Sequence, residues 1–128
     1  MANFYPPGFE SEKKNLAIDF DGVIHNADKG WHDGTCYGDP LPGSLEALLN
    51  LSKKYNIVIF TAKAKPDRPL VDGKTGVTHV LEWLKKYNVA QYIDSVTSEK
   101  PRADLYIDDN GYRFENWKDT LNFIKSYE

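Results

Sequence analysis

The chain has 128 residues, 41% of them apolar and 27% charged, which suits one globular domain and leaves hardly enough length for two. Its net charge of -3 and sequence pI of about 5.6 argue against a broad basic surface for nucleic acid. No apolar run approaches the ~20 residues that span a bilayer, the N-terminus lacks the regions of a signal peptide, and a lone cysteine, Cys36, allows no intrachain disulfide. A cytoplasmic protein is therefore expected, and Cys36 reads as a plain thiol in a loop.

Residues 1–14 mix proline, glycine and charge and are expected to form an arm. The apolar run Leu16-Ala17-Ile18 begins a first strand over 16–21. Residues 23–42, with Gly30, Gly34, Gly38, Pro40 and Pro42, read as a loop or short hairpin, with 23–38 as a flap. Pro42-Gly43-Ser44 opens a helix with the stripe Leu45, Leu48, Leu49, ending near Tyr55-Asn56. Ile57-Val58-Ile59-Phe60 is a second strand, ending at Thr61. Residues 62–74 are polar and basic and read as a loop. A second amphipathic helix carries Val77, Val80, Leu81 and Leu84 and ends near Tyr87-Asn88. Tyr92 to Val96 is a short strand, followed by Lys100-Pro101 in a loop. Leu105-Tyr106-Ile107 is a further strand, closed by Asp108-Asp109-Asn110-Gly111. A last helix starts after Asn116 with Trp117, Leu121 and Ile124 on one face.

Apolar strands alternating with amphipathic helices predict an α/β fold: a three-layer α/β/α arrangement around a mostly parallel, Rossmann-like sheet. Ligands in such sheets collect at the carboxyl ends of the strands. Asp19 and Asp21, Thr61, Lys100, and Asp108 and Asp109 all fall at such ends. Two carboxylates two residues apart at a strand end point to one side. Burying them without a cation would be costly. Oxygen-only ligation suits a hard cation, Mg²⁺ in particular. His25, His32 and His79 are dispersed and read as surface or partly buried side chains. A hard cation, a lysine and a hydroxyl together make a phosphate site. One carboxylate there can attack phosphorus, and the second can act as acid and base if its surroundings raise its pKa.

The ordered set Asp19-Phe20-Asp21-Gly22, Thr61 after a strand, Lys100-Pro101, and Asp108-Asp109 after another strand resembles the four motifs of the haloacid dehalogenase-like (HAD) hydrolase superfamily. The motifs cover residues 16 to 111, and the chain is similar to small capless members. The resemblance implies a Mg²⁺-dependent phosphatase. Asp19 would be the nucleophile and a metal ligand. Asp21 would be the general acid/base, with its backbone carbonyl on the metal. Thr61 would bind phosphoryl oxygens and Lys100 would offset negative charge. Asp109 would be the direct acidic ligand, supported by Asp108. Gly22, Ala62 and Lys63, beside these residues, are further expected substrate contacts. Asp21 favours phosphoryl transfer over carbon–halogen cleavage, since the dehalogenase branch lacks that second aspartate. The chain departs from many relatives in having Tyr112, Arg113 and Phe114 where another acid usually stands, with Glu115 one step later.

The sequence leaves no space for a large cap domain, so an open site is expected, covered by a bulky substrate or by a second subunit of a homo-oligomer. Trp31, His32 and Tyr37 of the flap either stack on a base or sugar or pack the flap onto the body. Lys63, Lys65, Arg68, Lys74 and Arg102 either extend the anion site or form a solvated charged loop. The expected partner is a phosphorylated small molecule, a nucleotide or a nucleic-acid end, and not a membrane. Two alternatives stand beside hydrolysis of a small phosphomonoester. One is a polynucleotide-end phosphatase or phosphotransferase. The other is a phosphate-ligand binder without turnover.

Overall fold

The structure, a computed structural model, describes residues 13–107 and 113–127. Four strands form an all-parallel sheet: β1 (Lys14–Asp19), β2 (Tyr55–Phe60), β3 (Ser95–Thr97) and β4 (Leu105–Ile107), in the order β3-β2-β1-β4. Three helices flank them: α1 (Ser44–Ser52), α2 (Gly76–Lys86) and α3 (Trp117–Tyr127). This is a small Rossmann-like α/β fold, as the strand and helix alternation predicts, and no cap domain is evident among the described residues. No described helix is long and apolar enough to cross a membrane.

β1 lies between β2 and β4. Its register runs Leu16↔Ile57 and Leu16↔Leu105, then Ile18↔Ile59 and Ile18↔Ile107. Registered neighbours share a face, so these six residues form one apolar layer, and all are buried. Each is worth about 1.5–3 kcal/mol of burial. On the other face Val58, Phe60 and Tyr106 are half-buried. β2 and β4 thus alternate in burial, although residues 57–60 and Leu105–Ile107 are apolar on both sides.

Several boundaries differ from the sequence reading. β1 starts at Lys14, inside the expected arm, and ends at Asp19; residues 1–12 of the arm lie outside the described residues. Beyond β1 the chain turns on Gly22, whose φ of 81° suits glycine. The Phe20 carbonyl accepts from the backbone N–H of Ile24 and His25. α1 ends at Ser52, and β2 takes up Tyr55 and Asn56. The α1 face also differs: Ala47, Leu48 and Leu51 are buried, while Leu49 is exposed. In α2, Trp83 is buried with Val80 and Leu84, and Leu81 points outward. The expected strand from Tyr92 is instead a 3-10 turn at Ala90–Tyr92 followed by β3.

Helix starts follow local chemistry. Gly43 enters α1 at φ 82°, a left-handed conformation. The Thr75 hydroxyl accepts from Thr78 N at α2. Asn116 Oδ1 accepts from Asp119 N at 2.8 Å, which begins α3 at Trp117 as its sequence predicts. At its first turn the Trp117 indole donates to the Val23 carbonyl at 3.0 Å, tying α3 to the turn after β1.

Candidate functional site

The carboxyl ends of β1, β2 and β3 are knitted together by the backbone. Phe20 N donates to Phe60 O, and Thr61 N donates to Thr97 O at 2.9 Å. Asp19 ends β1 and is half-buried. Asp21 follows at the same edge, and its side chain is 29% exposed.

Three groups converge on Asp21. The Thr61 hydroxyl lies 3.3 Å from Oδ2, the Lys63 ammonium 3.7 Å from Oδ2, and His25 Nδ1 2.9 Å from Oδ1. Thr61 is 3% exposed, and its oxygen also accepts from Lys63 N at 3.2 Å, which winds residues 62–64 into a 3-10 turn. That turn carries the Lys63 side chain inward, so the lysine is 2% exposed. Residues 62–74 were expected to be a loop; their first turn is ordered and buries a cation. Of the two readings open for Lys63, solvation on a charged loop is excluded.

His25 is fully buried, which corrects its reading as a surface or partly buried histidine. Its Nε2 lies 2.8 Å from Gly38 N, an obligate donor, so Nε2 accepts and carries no proton. Nδ1 therefore bears the hydrogen and donates to Asp21 Oδ1. Phe20 stacks parallel on the ring, at 5.1 Å between centroids, and Trp83 and Tyr37 meet it edge-on. Gly38 is needed for this closeness: a Cβ there would lie 1.9 Å from Asn26 O. The flap is sewn to the body through the same histidine, and Trp83 Nε1 adds a bond to Gly38 O at 2.9 Å. Nothing in the sequence reading singled out His25. The only signal was its position four residues after Asp21, and no regular element runs through that turn to give the spacing meaning.

The flap aromatics divide. Tyr37 packs on His25 and donates to Gly30 O at 2.7 Å, and His32 rests edge-on against Tyr37. Trp31 stays 43% exposed, with the Lys63 ammonium 4.4 Å and the Arg68 guanidinium 4.3 Å from its ring centre. Contacts within the flap therefore account for Tyr37 and His32, with Tyr37 resting on the buried His25. Beside Trp31 lies a cleft of about 240 Å³, lined by Lys63, Arg68, Pro69, Val71 and His79 among others. A larger hollow of about 350 Å³ lies at the opposite, amino end of the sheet, between Lys13, Tyr55, Asn56 and Asp94. It is remote from every strand-end residue named above.

Lys100 lies on the exposed loop after β3, its ammonium 4.6 Å over the Tyr106 ring. The ammonium in contact with Asp21 is that of Lys63. Gly22 and Ala62 border the site as exposed residues of its two loops. Asp108 and Asp109, the expected metal ligands of the last motif, lie outside the described residues, as does Tyr112. They follow Ile107, the register partner of Ile18, which precedes Asp19. Among the described residues no three His, Cys, Asp or Glu side chains group as metal ligands. The donor present at the strand end, the carboxylate of Asp19, is of the hard type that suits magnesium.

Cys36 is half-buried, and burial pushes its thiol up to about 12 from an ordinary 9.0. It is a protonated, unreactive group near neutral pH. No family model, curated protein or solved structure matches the chain.

Proposed function

We propose that the chain is a Mg²⁺-dependent phosphomonoesterase of the HAD-like type, acting through an aspartyl-phosphate on Asp19. The observation that supports this reading is the convergence of the Thr61 hydroxyl and the Lys63 ammonium on Asp21, two residues beyond Asp19, at the carboxyl edge of a parallel sheet. A hydroxyl donor and a buried ammonium beside paired carboxylates are what a phosphoryl group needs around it. The motif resemblance adds the order of the roles.

Asp19 attacks phosphorus, the ester oxygen leaves with a proton from Asp21, and Asp21 then takes a proton from the water that cleaves the acyl phosphate. Thr61 turns its hydroxyl from Asp21 to a phosphoryl oxygen. Lys63 offsets charge beside it, and Lys100 is the second cation assigned to this task. Asp19, the Asp21 carbonyl and Asp109, supported by Asp108, would hold magnesium, which when bound neutralises phosphate charge and orients it for in-line attack.

The substrate is a phosphorylated small molecule or a nucleotide. The polynucleotide-end alternative draws on the basic segment 63–74, but Lys63 there is taken by Asp21 and Lys74 by Glu82, at 2.9 Å. A cytoplasmic location and a homo-oligomer that covers the open site complete the proposal.

Hydrolysis of 4-nitrophenyl phosphate, with magnesium and with a chelator, tests it. Magnesium-dependent turnover is expected, lowered at least about 100-fold by Asp19→Asn. Equal rates for wild type and Asp19→Asn across a broad phosphate-ester panel would overturn the catalytic reading and leave a phosphate-binding protein.

A further inference from the structure

The cations around the cleft are not equivalent. Lys63 is spent on Asp21 and Lys74 on Glu82. Arg68 has no carboxylate partner among the described residues, yet it is held in place. Its Nε donates to the Ala62 carbonyl at 3.0 Å, and its guanidinium lies 4.3 Å from the centre of the Trp31 ring. Two fixings on an exposed arginine leave its terminal nitrogens as preorganised donors. An unpaired guanidinium fixed at the wall of a cleft is a recognition group for a planar anion.

The cleft itself joins Arg68 to the reaction centre. Lys63 lines it, and the same ammonium contacts both Asp21 Oδ2 and the Trp31 ring. Pro69 and Val71 give it apolar walls, and His79 is locked by its Nε2 donating to the Val71 carbonyl at 2.7 Å. A volume of about 240 Å³ is below the usual range for a whole drug-sized ligand, about 300–1,000 Å³. It suits the small body of a leaving group, not a polymer.

We infer that this cleft is the leaving-group pocket, and that Arg68 receives a second anionic group, a carboxylate or phosphate, at the far end of a small phosphomonoester. The inference rests on the phosphomonoesterase reading for its reaction, but the pocket can be tested without turnover. Trp31 is the probe, since it lines the cleft and is exposed, whereas Trp83 and Trp117 are buried. Three phosphonates of matched chain length are titrated while its resonance is followed: an alkyl, a carboxyalkyl and an alkane bisphosphonate. In wild type at least one tailed probe should bind about tenfold or more tighter than the alkyl probe. Which of the two does so identifies the second anion. Arg68→Gln should collapse that ratio toward one, and Arg68→Lys should restore part of it.

The same ratio is then read in kcat/KM with the matching phosphates. Should no phosphate be hydrolysed while the Arg68-dependent preference persists, the pocket stands and the phosphatase reading falls. Equal binding of tailed and untailed probes in wild type would overturn the pocket. So would a preference that survives Arg68→Gln, or tighter binding of a 5′-phosphorylated oligonucleotide than of either tailed probe.

Discussion

Asp21 is held by three partners that all follow it in the chain, and His25 is the one with no freedom. The imidazole has a donor fixed on one nitrogen by Gly38 and so presents its only hydrogen to Asp21. This orientation can be separated from mere filling of the core. His25→Asn keeps a donor near the Nδ1 position, and His25→Gln places its amide near Nε2, toward Gly38. Both lose ring packing against Phe20 and Trp83, so thermal melting should report comparable destabilisation. On the proposed phosphatase activity their kcat values should differ, with Asn the less affected and Gln down about 10–100-fold, the usual scale for removing an orienting partner. Equal kcat losses in the two variants would reduce His25 to a packing residue.

Among the elements, α2 shows how a helix far along the sequence shapes the site. Its first residue, Gly76, abuts the turn that carries Lys63: a Cβ there would lie 1.5 Å from the Lys63 carbonyl oxygen. Backbone on both sides cannot give way cheaply. Gly76→Ala should destabilise the fold by about 2–3 kcal/mol, the upper part of the range for overpacking, read as a lower urea midpoint at unchanged slope. On the proposed phosphatase activity it should also slow turnover in the molecules that remain folded, because the Lys63 ammonium is displaced from Asp21. A variant as stable as wild type would show that the turn has room the structure does not. The helix faces carry a related lesson. Leu49 and Leu81 fit an apolar spacing but point outward, whereas Ala47, Leu51 and Trp83 complete the buried stripes. In short helices an i, i+3, i+4 pattern admits more than one face, and contact with β2 or β3 selects between them.

For the molecule as a whole, the partly buried thiol of Cys36 adds an alkaline limb to stability. Its folded pKa is raised, so the folded state keeps a proton that the unfolded chain releases at about 9.0. The contribution is fully present below that value and is lost as pH rises from there toward about 12. Denaturant melts of wild type should weaken over this window more steeply than those of Cys36→Ala. Parallel curves would exclude a buried thiol. At the acid side, Thr35 bonded to Asp33 and Lys74 bonded to Glu82 hold those carboxyls below their usual range. Their small, exposed contributions are present at neutral pH and fade as pH falls through those depressed values.

The parallel sheet, its flanking helices and the gathering of Asp19, Asp21 and Thr61 at one edge were legible in the amino-acid order. Apolar strands separated by helices must run parallel, and whatever follows each strand is delivered to a single rim. The partners of Asp21 were not legible. His25 sits in a turn without periodicity, and Lys63 and Thr61 are some forty positions away along the chain. Only three-dimensional packing decides which charges lose water and must pair, because desolvation depends on what closes over a side chain and not on its neighbours in sequence. The same packing buried Lys63 against Asp21 and left Arg68 without a carboxylate partner among the described residues, a distinction invisible in a run of basic residues.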